Sequence, residues 1–259
     1  MGKKIHLIYF SPTGTTRKTL SSIAKGFEGY RVVHHDLTSS ATPPNLLIKD
    51  GIAIFGLPVY AGRAQATALK RMRKIKGHKV PAVVVGLYGN REFEDAIVEL
   101  RDVVTSAGFI PVAGGAFIGE HSYATKQHQI AMGRPDENDL LAAQEFGSAV
   151  MIKLESGDLS TPEMEGNVPY KELVLPKGIT PKTDHEKCQL CGSCVKACPT
   201  SAINMSHRVT SNAVSCIMCM ACAKVCKKDA RAIYNANVLE RKEALVKNCS
   251  EAKKPVIFI

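Results

Sequence analysis

The chain has 259 residues, 45% of them hydrophobic and 22% charged, with a formal net charge of +10. No apolar run approaches the roughly 20 residues of a membrane-spanning helix, and the opening Met1–Phe10 stretch turns polar too soon for a secretory signal. The expected home is therefore cytoplasmic, and no stable membrane insertion is expected. The basic excess divides evenly, 19 basic against 14 acidic residues over 1–155 and 15 against 10 over 156–259, which argues against a basic arm for nucleic acid.

In chain order, strand-like apolar runs occur at Ile5–Phe10, Val32–Leu37, Ile52–Leu57, Val80–Leu87 and Ile110–Ile118. Between and after them lie helix-compatible stretches at Thr15–Gly26, Arg63–Ile75, Glu92–Ala107 and Glu137–Leu154. Several runs are apolar almost throughout, the pattern of strands covered on both faces. Alternating β and α segments imply right-handed crossovers. Residues 1–155 are thus expected to form an α/β domain with a doubly wound five-stranded parallel sheet.

The first strand runs into Ser11-Pro12-Thr13-Gly14-Thr15-Thr16 and then a helix. Such a turn aims backbone N–H groups and a helix N-terminus at an anion, four hydroxyls add donors, and Gly14 permits close approach. The same residue types also serve as a plain N-capping turn. Neither a Walker lysine nor G-x-G-x-x-G is present, which weakens nucleoside triphosphate and dinucleotide readings. Two further strand ends carry loops, Gly56–Arg63 and Tyr88–Asp95, where ligands of this architecture sit.

The basic run Lys70–Lys76 reads as a solvated helix face or a dock for an acidic partner. His121, Ser122 and Tyr123 form a loop near the sheet's carboxyl edge, either a surface turn or a substrate contact. Residues 156–179, rich in Ser, Gly, Pro and Glu, read as a linker or strap.

Eight of the nine cysteines fall between Cys188 and Cys226, in two runs: Cys188, Cys191, Cys194, Cys198-Pro199, and Cys216, Cys219, Cys222, Cys226-Lys227. The absence of a secretory signal makes metal binding the reading over disulfides. Zinc prefers paired C-x-x-C knuckles, which two runs of four thiolates fit poorly. This spacing resembles bacterial ferredoxins with two [4Fe–4S] clusters, in which the fourth cysteine of each run ligates the other cluster. The resemblance implies Cys188, Cys191, Cys194 and Cys226 on one cluster and Cys216, Cys219, Cys222 and Cys198 on the other, within a small α+β domain over 180–235. Lys227 departs from the proline expected after the last cysteine, a change able to alter N–H contacts there. The tail, 236–259, holds a helix-compatible Val238–Asn248, Cys249 as a structural thiol, and an apolar end, Val256–Ile259, expected to pack on one of the domains.

The loop at 11–16 is similar to the phosphate loop of flavodoxins. Together with Pro58-Val59-Tyr60-Ala61-Gly62, Tyr88-Gly89-Asn90-Arg91, Gly119–Tyr123 and Gly133–Asp136 it resembles flavodoxin–ferredoxin fusion proteins of anaerobic bacteria. That resemblance implies FMN, its phosphate held by Ser11, Thr13, Gly14, Thr15 and Thr16, its ring flanked by Pro58, Val59, Tyr60, Ala61, Gly62, Tyr88, Gly89 and Asn90. Tryptophan is absent, so stacking falls to Tyr60, Tyr88 or Phe93, and Arg63 or Arg91 stands either near the flavin or at a solvated helix start. The implied function is electron transfer between two [4Fe–4S] clusters and FMN, with redox proteins as partners. The alternative is an FMN-dependent reductase of a small organic substrate fed by the clusters, and third a redox-sensing protein with structural clusters. No catalytic residue is assigned.

Overall fold

The structure is a computed structural model that describes residues 3–39, 45–173 and 178–259. The first strand, β1 (Lys4–Tyr9), is followed by α1 (Thr15–Lys25), β2 (Arg31–Asp36), the short β3 (Leu46–Ile48), β4 (Ile52–Tyr60), β5 (Arg63–Ala64) and α2 (Ala66–Met72). Next come β6 (Ile75–Gly77), β7 (Val80–Tyr88), α3 (Ala96–Ser106), β8 (Phe109–Ile118) and α4 (Glu137–Glu155). The main sheet is ordered β13-β8-β7-β4-β1-β2, where β13 is Val256–Phe258. Its five strands from β2 to β8 are parallel. Their sequence order across the sheet, 2-1-3-4-5 among the parallel strands, is the flavodoxin-like doubly wound order.

Alternation along the buried strands feeds two cores. Ile5, Leu7 and Tyr9 join Leu20 and Ile23 of α1 and Phe146 and Val150 of α4 on one face. Ile8 and Phe10 join Leu69 and Met72 of α2 and Ile97 and Leu100 of α3 on the other. Side chains of successive strand residues point to opposite faces, so an unbroken apolar run is what a doubly covered strand needs.

Two helices begin later than the sequence pattern implies. Arg63–Ala64 pairs back on β4 as a hairpin, Tyr60 opposite Arg63. The helix then starts after Gln65, whose side-chain oxygen accepts the Ala68 amide at 2.8 Å. Likewise α3 starts at Ala96, because Asp95 is buried and its carboxylate is bonded to Asn167 and Lys171 of the following strap.

The chain's end is the sixth main-path strand. β13 lies antiparallel on β8, Val256 opposite Ala116 and Phe258 opposite Gly114, so it covers what is otherwise an open sheet edge. After α4 the strap stays on the α/β domain, Met164 in the core that holds Ile8 and Lys171 on Asp95, and the chain adds its strand to the sheet at 256.

Between those points lies a small α+β unit: β9 (Lys182–Thr183), α5 (Ser193–Lys196), β10 (Ile203–Met205), β11 (Val209–Ser211), α6 (Ala221–Lys224) and β12 (Arg231–Ala232). β10 pairs with β11, and β9 with β12, all antiparallel. The helix α7 (Ala236–Asn248) then packs Leu245 against Ala124 and Ile130, and Val238 with Met220 and Ile233. No helix among the described residues is long and apolar enough to cross a membrane.

Candidate functional site

The two cysteine runs fold alike, at an offset of 28 residues. Leu190 and Met218 both have positive φ (51° and 53°), as do Gly192 and Met220 (74° and 60°), and Ser201 and Asp229 (52° and 50°). At 192 glycine takes the left-handed turn freely; Met220 adopts the same turn against the usual preference of side-chain-bearing residues. The fourth cysteine of each run accepts an amide four residues on: Ala202 N to Cys198 Sγ at 3.1 Å, and Ala230 N to Cys226 Sγ at 3.3 Å. Lys227 in place of proline thus leaves that N–H···S contact intact.

Cys198, Cys216, Cys219 and Cys222 line one pocket with Ile203 and Arg231. Cys198 comes from the first run and the others from the second. Burial raises the Cys216 and Cys222 thiols and pushes Cys219 up to about 12. Such thiols become thiolates when cationic metal offsets the burial, the condition of an iron–sulfur ligand. In the other set Cys191 is exposed and bonded to Ser193 Oγ at 3.4 Å, while Cys194 is buried beside Cys188. The charge of Lys227, adjacent to Cys226, lies near enough to help lower the Cys191 thiol, behind the hydrogen bonds from Ser193. Among the described residues no three His, Cys, Asp or Glu side chains converge on a single-ion site; a four-iron cluster takes each thiolate on a different iron.

At the end of β1 the Gly14 amide donates to the Ser11 carbonyl at 3.1 Å, and the Arg17 amide to Ser11 Oγ at 3.0 Å. Gly14 caps α1 with φ 87°, and nothing lies within 4 Å of the place its Cβ would take. Thr13 Oγ1 and Thr15 Oγ1 are 3.5 Å apart, whereas Thr16 is buried. The loop opens into two cavities, of about 680 and 390 Å³. Arg17 and Lys224 line both, and Lys18 and Arg134 line the larger. Open space above a cap, with cations around it, fits a phosphate group.

Lys224, at the end of α6, is a site residue that the sequence pattern does not single out. It is bonded to Glu120 and, at 2.9 Å, to the Ala124 carbonyl. A lysine of the cysteine unit therefore closes a cavity that begins in the α/β domain. Its only sequence signal is a position two residues after Cys222, which says nothing of what it faces.

The two loops expected to flank a ring differ in what they leave exposed. Pro58, Val59 and Tyr60 end β4 half-buried, and Ala61 and Gly62 form the left-handed hairpin turn, φ 52° and 80°. Tyr60 faces the cysteine unit: burial, then Cys219, Tyr123 and Cys216, raise its phenol well above the usual value. Tyr88 is buried against Phe93, ring centroids 5.7 Å apart, and its phenol is pushed up to about 12 by burial and by Glu92. Tyr60 is thus the least enclosed of the three aromatic residues. Gly89 is overlaid by the His121 ring. Asn90 spends its side chain on the tail, donating to the Cys249 and Glu251 carbonyls at 2.8 and 2.7 Å and accepting from the Lys253 amide at 2.9 Å.

Neither Arg63 nor Arg91 is a free charge, and only Arg63, its side chain 17% exposed, is withdrawn from solvent; the Arg91 side chain is 40% exposed. Arg63 pairs with Glu99 at 2.8 Å, donates to the Lys171 carbonyl and lies 4.9 Å over the Tyr170 ring, clamping the strap. Arg91 pairs with Glu94 at 2.7 Å.

A family model described as a 4Fe-4S binding domain matches residues 181–204. The chain is 33% identical over 84 residues to an uncharacterized ferredoxin of Methanocaldococcus jannaschii, a match taking in 29% of this chain and 55% of that one. The match thus spans about half the length of that relative. Among solved structures, flavodoxin 2 from Bacillus cereus is 16% identical, covering 58% of this chain and 99% of its own at a TM-score of 0.43. A Fusobacterium nucleatum flavodoxin bound to flavin mononucleotide is 17% identical over 59% and 98%, TM-score 0.38. An archaeal flavodoxin is 14% identical over 59% and 99%, TM-score 0.37.

Proposed function

We propose that this chain, a flavodoxin-like α/β fold followed by a unit that matches a 4Fe-4S binding domain, is an electron-transfer protein that holds two [4Fe–4S] clusters and one FMN and moves electrons between them. The observation that carries this reading is Lys224, two residues after Cys222, which lines the cavity over the Thr13–Thr15 loop and is bonded to Glu120 and the Ala124 carbonyl of the α/β domain. When bound, the clusters exchange single electrons and the flavin one or two.

The chain's own residues do the rest. Cys188, Cys191, Cys194 and Cys226 hold one cluster, and Cys198, Cys216, Cys219 and Cys222 the other, the crosswise ferredoxin arrangement. Ser11, Thr13, Gly14 and Thr15 offer donors to the flavin phosphate, with Arg17 and Lys224 supplying charge. Tyr60 and the neighbouring Pro58–Gly62 turn flank the ring on the side of the second cluster. The Lys224–Glu120 pair fixes the two units against each other, so exchange is intramolecular, at an effective concentration no diffusing partner matches. Redox proteins supply and remove the electrons.

A second reading, a reductase of a small organic substrate, draws support from the larger cavity. Glu120, Gly133, Arg134 and Pro135 line it beside Thr13–Thr15, room for an anionic compound next to the flavin.

The test is anaerobic purification, assay of iron, sulfide and FMN, then rapid mixing of the reduced protein with acceptors. About eight irons per FMN, with fast re-oxidation by electron-carrier proteins alone, is the expected result. Catalytic reduction of a small organic compound establishes the second reading instead. Zinc in place of iron overturns both.

A further inference from the structure

The internal repeat is broken at one buried position. The offset that carries Cys188 onto Cys216 and Cys198 onto Cys226 carries Ile203 onto Arg231. Ile203 is 6% exposed and packs with Cys194, Val209 and Cys222. Arg231 is buried just as deeply, 5% exposed, yet it is a cation.

Its guanidinium is fixed on three sides. Nη1 donates to Thr183 Oγ1 at 2.6 Å, and Nη2 to Ser211 Oγ at 2.6 Å and towards Cys222 Sγ at 3.7 Å. The Nε–H is buried without a partner among the described residues. Two hydroxyls and a thiol are its partners, and none is the carboxylate that a buried guanidinium ordinarily requires. The same fold accommodates isoleucine at the repeat-related site, so packing alone gives no reason for a charge. The compensating negative charge in reach is that of the cysteine sulfurs: Arg231 lines the same cavity as Cys198, Cys216, Cys219 and Cys222, its Nη2 3.7 Å from Cys222 Sγ.

We propose that Arg231 is a positioning residue that acts through Cys222 to raise the reduction potential of the cluster held by Cys198, Cys216, Cys219 and Cys222 above that of its partner. Reduction adds one electron and no proton to a cluster whose thiolates already make it anionic. A nearby fixed cation therefore stabilises the reduced form more than the oxidised one, and hydrogen bonding to sulfur acts in the same direction. In the first cluster Cys191 meets Ser193 Oγ at 3.4 Å but is exposed, and Ile203, not a buried cation, stands at the position equivalent to Arg231. The electron then rests on the cluster beside Tyr60. This inference depends on the two-cluster reading above.

The experiment is a dithionite titration of the whole protein followed by EPR, comparing wild type with R231M, R231Q and R231K, each assayed for iron. R231M and R231Q with full iron are expected to lower the higher of the two midpoints at least tenfold in reduction equilibrium, about 59 mV for one electron. The lower midpoint should move less, and R231K should stay close to wild type. Unchanged midpoints in an iron-replete neutral variant overturn the proposal. So does a protein in which only R231K keeps its iron, because the charge then serves assembly. Wild-type protein lacking two one-electron cluster signals overturns the two-cluster reading itself, a distinct result.

Discussion

Arg71 joins the Ser11–Thr16 loop to the cysteine unit: its Nη2 donates to the Pro199 carbonyl at 2.6 Å, and its Nη1 to the Leu37 and Thr38 carbonyls at 2.7 and 3.0 Å. Thr38 Oγ1 in turn accepts the Ser11 amide at 2.8 Å. One member of the basic run at 70–76 is therefore spent inside the molecule, on the residue that follows Cys198.

Replacing Arg71 by Met removes three charge-assisted bonds and leaves their carbonyls unpaired. The expected cost is roughly 2–4 kcal/mol of stability, read as a lower denaturant midpoint. Iron and flavin content should stay at wild-type levels, while intramolecular exchange slows because the units are held less firmly. An R71M protein with an unchanged midpoint disproves the clamp.

Lys224 should matter to flavin affinity although it belongs to the cysteine unit. An ammonium–phosphate contact is worth about 1.5–3 kcal/mol, so K224M is expected to bind FMN about ten to a hundred times more weakly. Lys25 lines the same cavity but is exposed at its rim, and K25M should change affinity little. Flavin fluorescence titration compares them; equal affinity in K224M and wild type refutes the shared site.

What the sequence displays and what it conceals divide along contact range. Runs such as Ile5–Phe10 and Val80–Leu87 show a doubly covered sheet because each strand carries both faces in its own residues. The cysteine runs are equally plain, since ligand spacing is local. Arg231, Lys224 and Arg71 are not visible in this way. Each is an ordinary basic residue whose meaning comes from a partner far along the chain: Thr183, Glu120 or Pro199. Val256–Phe258 reads as a segment that packs somewhere, but its place on β8 depends on an edge that no local pattern reveals. Asn90 shows the same limit, for a residue in a loop expected to flank a ring turns its side chain to the tail.

Asn90 therefore anchors the returning strand. Loss of its three bonds to 249–253 in N90G should destabilise the protein by about 3 kcal/mol. N90A should lose about 1 kcal/mol more, because Asn90 has φ 65° and alanine is disfavoured in the left-handed region. Hydrogen exchange at Val256–Phe258 should speed up in both. If those amides stay protected in N90G, the strand is held by the ladder to β8 alone.

His121 gives the fold an acid-sensitive joint. Its ring lies over Gly89 and tilted against Tyr123, centroids 5.3 Å apart, and its Nδ1 accepts the Tyr123 amide at 3.0 Å. Burial, with Lys224, Arg91 and Lys242 nearby, lowers it to about 4 from the ordinary 6.5. The folded state thus prefers the neutral ring, and between those values the unfolded chain binds more protons. Stability from this residue is complete above pH 6.5 and lost as pH falls towards 4, by at most ~3 kcal/mol. Urea denaturation between pH 5 and 7.5 should show wild type weakening on the acid side, with a shallower slope in H121Q, whose side chain stays neutral throughout. Parallel slopes in the two proteins assign the acid sensitivity to other groups.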